Sequence, residues 1–383
     1  MNKEAEEFKL LIPQTGIEYF WEIRSGRYYY VDKSELISDI VDDGNKVYLF
    51  TRPRRFGKSL NLSMIDAFFN MKYKGNTWFD GLKVQEHGNC TKLKNSFPVI
   101  SISMKEMDMD DFNEFLSDLS QKIYSIFKDF RYLADSDKID FVSKDIFMRL
   151  WTKTSDKSEL KDSLRFLCEM LEVYHGVKPI VLIDEYDNPI NSSFNANKDT
   201  YEQILSFLKG FYSAVLKSNT HMSFAVVTGI MQIAKESLFS GLNNLRVNNI
   251  FTEKFDERYG FTESEVKEIC EYYGHPEKMA EAKEWYDGYR FGNAEIYNPW
   301  SIFSYVYFNF KAKAYWINTS SNEIIYTLID NATDEVYQNL TSIANGEKVT
   351  ARLNPAISMR EMDSDPDTIY SVMAVAGYLN AVP

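Results

Sequence analysis

The chain of 383 residues is poor in the side chains that build disulfide frameworks and zinc sites. It contains three cysteines (Cys90, Cys168 and Cys270) and four histidines. The cysteines are odd in number and far apart, and neither they nor the histidines show a metal-binding spacing. This pattern excludes a disulfide-stapled scaffold and predicts reduced, buried thiols.

Long apolar runs and an excess of basic residues are also lacking. No apolar run approaches the roughly 20 residues that span a bilayer, and the first residues are acidic without the apolar segment of a signal peptide. The chain has 56 Asp and Glu against 43 Lys and Arg, a net charge of −13. Such a field does not attract nucleic acid. We therefore expect a cytoplasmic protein that contacts no membrane and has at most an indirect link to nucleic acid.

A short apolar run followed by a basic loop is the most informative segment that is present. Residues 47–51 are typical of a buried strand, residues 52–56 form the loop, and Gly57-Lys58-Ser59 opens a helix. Backbone N–H groups at a helix start bind phosphate, a lysine adds charge, and a serine hydroxyl ligates Mg²⁺. A surface turn is the alternative interpretation, because Arg52 replaces the first glycine of the P-loop pattern. The predicted nucleotide-binding residues are Arg54, Arg55, Phe56, Gly57, Lys58, Ser59 and Leu60, with solvent-facing arginines as the alternative for Arg54 and Arg55.

A second apolar run, residues 179–183, ends in the adjacent acids Asp184 and Glu185. This is typical of a central parallel strand whose carboxyl end opens on a site. We predict that Asp184 and Ser59 hold Mg²⁺, and that Glu185 polarises the water that attacks the γ-phosphate, with Lys58 as the catalytic cation. The alternative is a strand whose acids merely begin a solvated loop.

Strand-like and helix-like segments alternate along most of the chain. Further strands are predicted at residues 98–104 and 222–229. The alternation predicts an α/β fold, a P-loop core with a mainly parallel, doubly wound sheet. A helical insertion is expected at about residues 110–175. The predicted domains are residues 1–255 and a C-terminal all-helical lid at residues 256–383, which begins with a capping box at Thr262 and Glu265.

Several longer motifs resemble the bacterial AAA-ATPase-like family over about residues 10–310. They lie at residues 30–33, 52–58, 182–187, 237–245 and 286–291. The resemblance implies an ATP- and Mg²⁺-dependent protein with arginine at position 52. It also implies that Thr228 senses the γ-phosphate as a catalytic residue, with a turn or capping role as the alternative. Members often continue into a PD-(D/E)xK nuclease-like domain, which is not evident here, so we expect the ATPase part alone.

Three functions follow from these residues. The leading one is an ATPase or slow nucleotide switch that acts on or gates a protein partner. The second is a nucleotide-binding or scaffold module without hydrolysis, favoured by Pro53, which lacks an N–H group for phosphate. The third is a metal-dependent nuclease built on Asp184, Glu185 and Asp187. Arg246 and Arg258 are candidate arginine fingers, Arg290 is a candidate phosphate-contacting lid residue or a salt-bridge partner, and residues 28–30 are predicted either to stack on adenine or to form an edge strand.

Overall fold

Most of the secondary-structure elements are arranged around one parallel sheet. The structure is a computed structural model that describes residues 10–13, 16–107, 109–193, 197–233, 238–239, 242–316, 329–330, 332–357 and 366–381. Its strands are β1 (Val47–Thr51), β2 (Val99–Ser103), β3 (Ile180–Asp184), β4 (Ala225–Gly229), β5 (Gln232–Ile233), β6 (Leu245–Asn248), β7 (Tyr289–Phe291), β8 (Ala294–Ile296) and β9 (Ala356–Ile357).

The main sheet has the order β2-β3-β4-β1-β6, and all of its neighbouring strands are parallel. Every residue of β1, β3 and β4 is buried, as expected for central strands of a sheet covered on both faces. The carboxyl ends of β1 and β3 therefore open at the same edge. This architecture confirms the predicted α/β fold with a mainly parallel sheet.

The helices lie between and after these strands. Those of the first two thirds are α1 (Phe20–Ser25), α2 (Glu35–Asp43), α3 (Lys58–Phe69), α4 (Gly88–Thr91), α5 (Phe112–Asp129), α6 (Phe141–Trp151), α7 (Lys157–His175), α8 (Asn188–Ser192) and α9 (Lys198–Leu216). Those that follow are α10 (Glu263–Tyr272), α11 (Met279–Tyr286), α12 (Pro299–Tyr307), α13 (Asp334–Ala344) and α14 (Pro366–Ala376).

Aspartate caps start the three helices that connect β2 to β3. The carboxylates of Asp111, Asp140 and Asp156 each accept backbone N–H groups in the first turn of α5, α6 and α7. Such caps satisfy N–H groups that a helix leaves without internal partners. The three helices occupy the region where the helical insertion was predicted.

Some local details were not predicted from the sequence. Strand β6 was missed because four residues are too short to show a clear alternation. The Oδ1 atom of Asp32 accepts the Ser34 N–H at 2.8 Å, just before α2 begins. Residues 289–291 form β7, which pairs with β8 in an antiparallel hairpin.

The C-terminal region is helical, as predicted, except that the lid predicted to be all-helical also contains the β7–β8 hairpin. The capping box at Thr262 and Glu265 is present. Helices α10, α11 and α12 surround a small apolar cluster of their own that includes Phe261, whereas the buried face of α14 joins the core of the sheet. The boundary predicted after residue 255 stays a prediction. Within the described ranges no helix is long and apolar enough to cross a membrane.

Candidate active site

A cavity of about 390 Å³ lies where β1 and β3 end. Its volume falls within the range of about 300–1,000 Å³ that is usual for small-molecule sites. All seven predicted nucleotide-binding residues line it, and so does Glu185. The structure therefore brings together two segments that are more than 100 residues apart in the chain; their binding roles stay a prediction.

The loop from β1 turns sharply into α3 at this cavity. Gly57 has φ 80° and precedes α3, whose N-terminus has no side-chain cap. Arg55 has φ 70°, a left-handed conformation that costs non-glycine residues free energy and often occurs at functional sites. The first turn of α3 thus lines the cavity without a side-chain cap on its backbone N–H groups, and such a helix start can bind an anion.

Asp184 joins the two motifs directly. Its Oδ2 accepts a hydrogen bond from Ser59 Oγ at 2.6 Å, and its Oδ1 accepts one from Thr228 Oγ1. Thr228 is fully buried behind Asp184 and is not among the residues of the cavity wall. The geometry therefore makes Thr228 a support for Asp184, while its predicted contact with phosphate stays a prediction.

The pair Ser59 and Asp184 suits a hard divalent cation. Mg²⁺ prefers oxygen ligands and is usually held by one or two protein groups together with phosphate and water. Two oxygens 2.6 Å apart beside a cavity meet that requirement. Among the described residues there is no group of three or more His, Cys, Asp or Glu that could cage a metal alone.

Lys58 is a buried cation at the start of α3. Its side chain is 7% exposed, and Nζ donates hydrogen bonds to the carbonyl oxygens of Arg52 and Pro53, each at 2.9 Å. Burial lowers the pKa of Lys58 to about 8, although the carboxylates of Glu185 and Asp184 oppose the shift. Neutral carbonyls only partly compensate this charge, so an anionic ligand would stabilise it further.

Glu185 lies in the wall of the same cavity as Lys58. It has φ 51°, so the backbone turns abruptly after β3 and the side chain belongs to the cavity wall. Burial raises the pKa of Glu185, and the ammonium of Lys105, 3.8 Å from Oε1, opposes that shift. A half-buried carboxylate with a raised pKa is suited to accept a proton from water.

Arg52, in the place of the missing glycine, points into the protein. It is fully buried, and its Nη1 donates to the carbonyl oxygens of Thr51 and Asn248 at 2.9 Å each. The guanidinium also lies over the rings of Tyr259 and Phe291 at 5.2 and 5.1 Å. Burial lowers its pKa to about 10. Arg52 anchors the loop to β6 and the C-terminal region and does not line the cavity.

The neighbouring loop side chains contact the C-terminal region as well. The ring of Phe56 lies 4.9 Å from Tyr289 and 5.0 Å from Phe291, so this predicted nucleotide-binding residue faces the cavity only in part. The guanidinium of Arg55 lies 4.2 Å over the Trp300 ring. Residues of the C-terminal region therefore pack against the loop and help to hold it in place.

The third acid of the predicted cluster serves another purpose. Asp187 is almost fully buried, and its Oδ2 accepts the N–H groups of Ile230 and Met231 at 3.0 and 2.9 Å. It stabilises the turn after β4 and is not among the residues of the cavity wall. This geometry gives no support to the nuclease interpretation of Asp184, Glu185 and Asp187.

The cavity also has walls that the sequence motifs did not predict. Lys105 and Glu18 face the loop, and the aromatic side of the cavity contains Trp300 and Phe303 from α12. They come from separate parts of the chain and carry no local motif. Of the predicted aromatic segment, Tyr29 and Tyr30 line the cavity, whereas Tyr28 makes an isolated bridge with Leu11.

The three candidate arginines lie in different places. Arg258 lines the cavity, with Nε 2.6 Å from Asp39 and Nη1 3.2 Å from Glu35. Arg246 is an exposed residue of β6. Arg290 is exposed on β7, where its Nε donates to the Gly292 carbonyl at 3.3 Å; it is not among the residues of the cavity wall, and it forms no salt bridge with the described residues.

Comparison with known proteins identifies related chains. A family model described as a predicted AAA-ATPase matches residues 14–239, more than half of the chain. A curated protein of Azotobacter chroococcum mcd 1, described as uncharacterized and encoded in the vnfD 5′ region, is 28% identical over 324 residues. That match covers 82% of this chain and 55% of the relative, so the chain spans about half the length of the relative.

Proposed function

The chain belongs to the AAA-ATPase-like family, and on that premise we propose that it binds ATP with Mg²⁺ at residues 54–60 and hydrolyses it slowly. The observation that supports this most strongly is the hydrogen bond between Ser59 and Asp184 at 2.6 Å. It joins the loop, whose Ser59 lines the cavity, to Asp184 at the acidic end of β3, which is buried behind the cavity wall. This contact supports the proposal because the two motifs were predicted independently.

Each residue near this link has a distinct task in the proposal. Lys58 and the N–H groups at the start of α3 bind the phosphates. Ser59 and Asp184 would hold Mg²⁺, which neutralises phosphate charge when bound. Thr228 orients Asp184 through its hydrogen bond. Glu185 accepts a proton from the attacking water, a role that fits its place in the cavity wall.

The aromatic side of the cavity suits the base of the nucleotide. Tyr29, Trp300 and Phe303 line it, and the Trp300 ring also contacts the Arg55 guanidinium of the loop. Aromatic rings bind a flat heterocycle by stacking. We assign the adenine to this side, which makes residues from both predicted domains contribute to one ligand.

A nucleotide-binding module without hydrolysis is the second candidate. It is favoured by the loop itself, because Pro53 has no N–H group and the Arg52 N–H is already bonded to the Gly229 carbonyl at 3.1 Å. Fewer backbone donors then remain for phosphate than in a glycine-rich loop. The placement of Glu185 favours turnover. In either case, a protein partner that is driven or gated by the nucleotide stays a prediction.

Phosphate release from ATP, measured with and without Mg²⁺, tests the proposal. We expect Mg²⁺-dependent turnover in the wild type and a loss of about 10²–10⁴-fold in Glu185→Gln, with ATP still bound. Glu169→Gln, which changes an exposed glutamate on α7, is the matched control and should keep wild-type turnover. ATP binding without phosphate release in the wild type would favour the second candidate. Unchanged turnover in Glu185→Gln would reject the role of this residue.

A further inference from the structure

Lys105 is a cation of the cavity wall that no motif assigned. It follows β2, and β2 pairs with β3 in a register that sets Ser103 opposite Asp184. Two residues after Ser103, Lys105 is thereby held beside Glu185 at the carboxyl edge of the sheet. The same cavity is lined by Lys58, Ser59 and Lys105.

The ammonium of Lys105 lies between groups that belong to the proposed reaction centre. Its Nζ is 3.4 Å from Ser59 Oγ, 3.8 Å from Glu185 Oε1 and 2.6 Å from Glu18 Oε1. Lys58 precedes Ser59, and its Nζ donates to the loop carbonyls of Arg52 and Pro53. Both lysines therefore belong to the wall of the same cavity as Ser59.

A purely structural role explains Lys105 poorly. Glu18 is 52% exposed on its side chain and Lys105 is 25% exposed, and ion pairs of this kind add little to stability. The Glu185 contact is longer and faces the cavity. The Lys105 ammonium is paired with the exposed carboxylate of Glu18. An anion of higher charge, such as a phosphate, can replace this carboxylate as the partner of Lys105.

We propose that Lys105 is a second phosphate-binding residue that recognises the terminal phosphate of a nucleoside triphosphate. The inference rests on the proposed function, since it concerns the same cavity. Because Ser59 and Lys105 are neighbours, a phosphate oxygen bound beside Ser59 lies within reach of the Lys105 ammonium. A diphosphate lacks the last group and loses this contact. Lys105 therefore makes the site prefer the triphosphate. When the terminal phosphate replaces Glu18 as the partner of Lys105, Glu185 stays in contact with the Lys105 ammonium.

Calorimetric titration with ATP and with ADP, both with Mg²⁺, tests this assignment. In Lys105→Met, ATP affinity should fall by about ten- to hundredfold, while ADP affinity stays within about twofold of wild type. Lys105→Arg keeps the charge and should retain the preference for ATP. The control is Lys46→Met, which removes a half-buried lysine at the opposite end of β1, where Nζ donates to the Ser223 carbonyl at 2.7 Å.

The outcomes separate this inference from the proposed function. A wild type that binds ATP and ADP, with Lys105→Met losing affinity equally for both or for neither, overturns the role of Lys105 and leaves nucleotide binding intact. A wild type that binds neither nucleotide overturns the proposed function and the inference with it. Loss of the ATP preference in Lys46→Met as well would assign the effect to net charge and overturn the specific contact.

Discussion

The loop between β1 and α3 has two halves that use buried cations in opposite ways. In the packed half (Arg52, Pro53 and Phe56), the Arg52 guanidinium is bound by carbonyl oxygens and aromatic rings of the protein itself. In the cavity half (residues 57–60), the Lys58 ammonium is buried next to space that a ligand can fill. Burial lowers the pKa of both cations, of Arg52 to about 10 and of Lys58 to about 8, but only Lys58 lies beside space that an anion can fill.

This contrast accounts for arginine at the position where the P-loop pattern has its first glycine. Arg52 places its side chain in the interior, and its backbone N–H bonds to the Gly229 carbonyl at 3.1 Å, which extends the pairing of β1 with β4. The position thus stabilises the base of the loop. In the proposed function, phosphate binding then depends on the cavity half and on the neighbouring basic side chains.

The largest effect is expected for a change in the packed half. Arg52→Met removes the hydrogen bonds to two carbonyl oxygens and the contacts of the guanidinium with two aromatic rings. It should lower the free energy of unfolding by about 3–4 kcal/mol. Urea denaturation measures this change. Arg54→Met removes the same charge from an exposed side chain and should have little effect. An Arg52→Met protein as stable as wild type would show that the buried guanidinium is not an anchor.

A pH-dependent effect is expected in the cavity half. Burial lowers the Lys58 pKa from 10.5 to about 8, so between these values the unfolded chain holds more protons and the stability of the wild type rises with pH. Lys58→Met has no titrating group at this position, so its free energy of unfolding should lack this rise, which amounts to about 1–3 kcal/mol. Urea denaturation of both proteins from pH 7 to 10.5 checks this. A variant whose stability rises with pH as much as that of the wild type would contradict the account.

A smaller effect tests the support from the C-terminal region. Gly377 has φ 88°, and a Cβ there would lie 2.9 Å from Pro53 Cβ. Gly377→Ala should lower the free energy of unfolding by about 2 kcal/mol, through backbone strain and overpacking. Gly346→Ala has φ 87° and no atom within 4 Å of the added Cβ, so strain alone should cost about 1 kcal/mol. Equal losses in thermal or urea unfolding would mean that the contact with Pro53 contributes nothing.

The smallest effect concerns the two exposed arginines of the loop. Both Arg54 and Arg55 line the cavity, and guanidinium groups bind phosphate well. At least one of the single variants Arg54→Ala and Arg55→Ala should lower ATP affinity, by between about twofold and tenfold. A fluorescent ATP analogue measures both. If each variant stays within a factor of two, the arginines serve another purpose, such as the contact of Arg55 with Trp300.

The parts of the fold that repeat a local pattern were predictable from the sequence. Strand β1 and the start of α3 lie where the pattern places them, because a fully apolar run and a Gly-Lys-Ser helix start are strong local signals. The meeting of Ser59 with Asp184 also follows, since parallel strands end at one edge of a sheet.

Other parts of the site depend on contacts between distant segments, which no local pattern shows. The inward direction of Arg52 depends on Asn248 and Tyr259. Lys105 acquires its place through the register of β2 and β3. Asp187 looked like a third site acid, yet the N–H groups of the turn after β4 bind it. Of the residues 237–245 motif, positions 237, 240 and 241 lie outside the described residues.

The central claim is that the cavity half of the loop binds nucleotide, and an equilibrium titration of Mg²⁺ and ATP into wild type and Lys58→Met tests it most directly. The account predicts saturable binding by the wild type and an affinity about ten- to hundredfold lower in the variant. Equal affinity of the two proteins for ATP would contradict it.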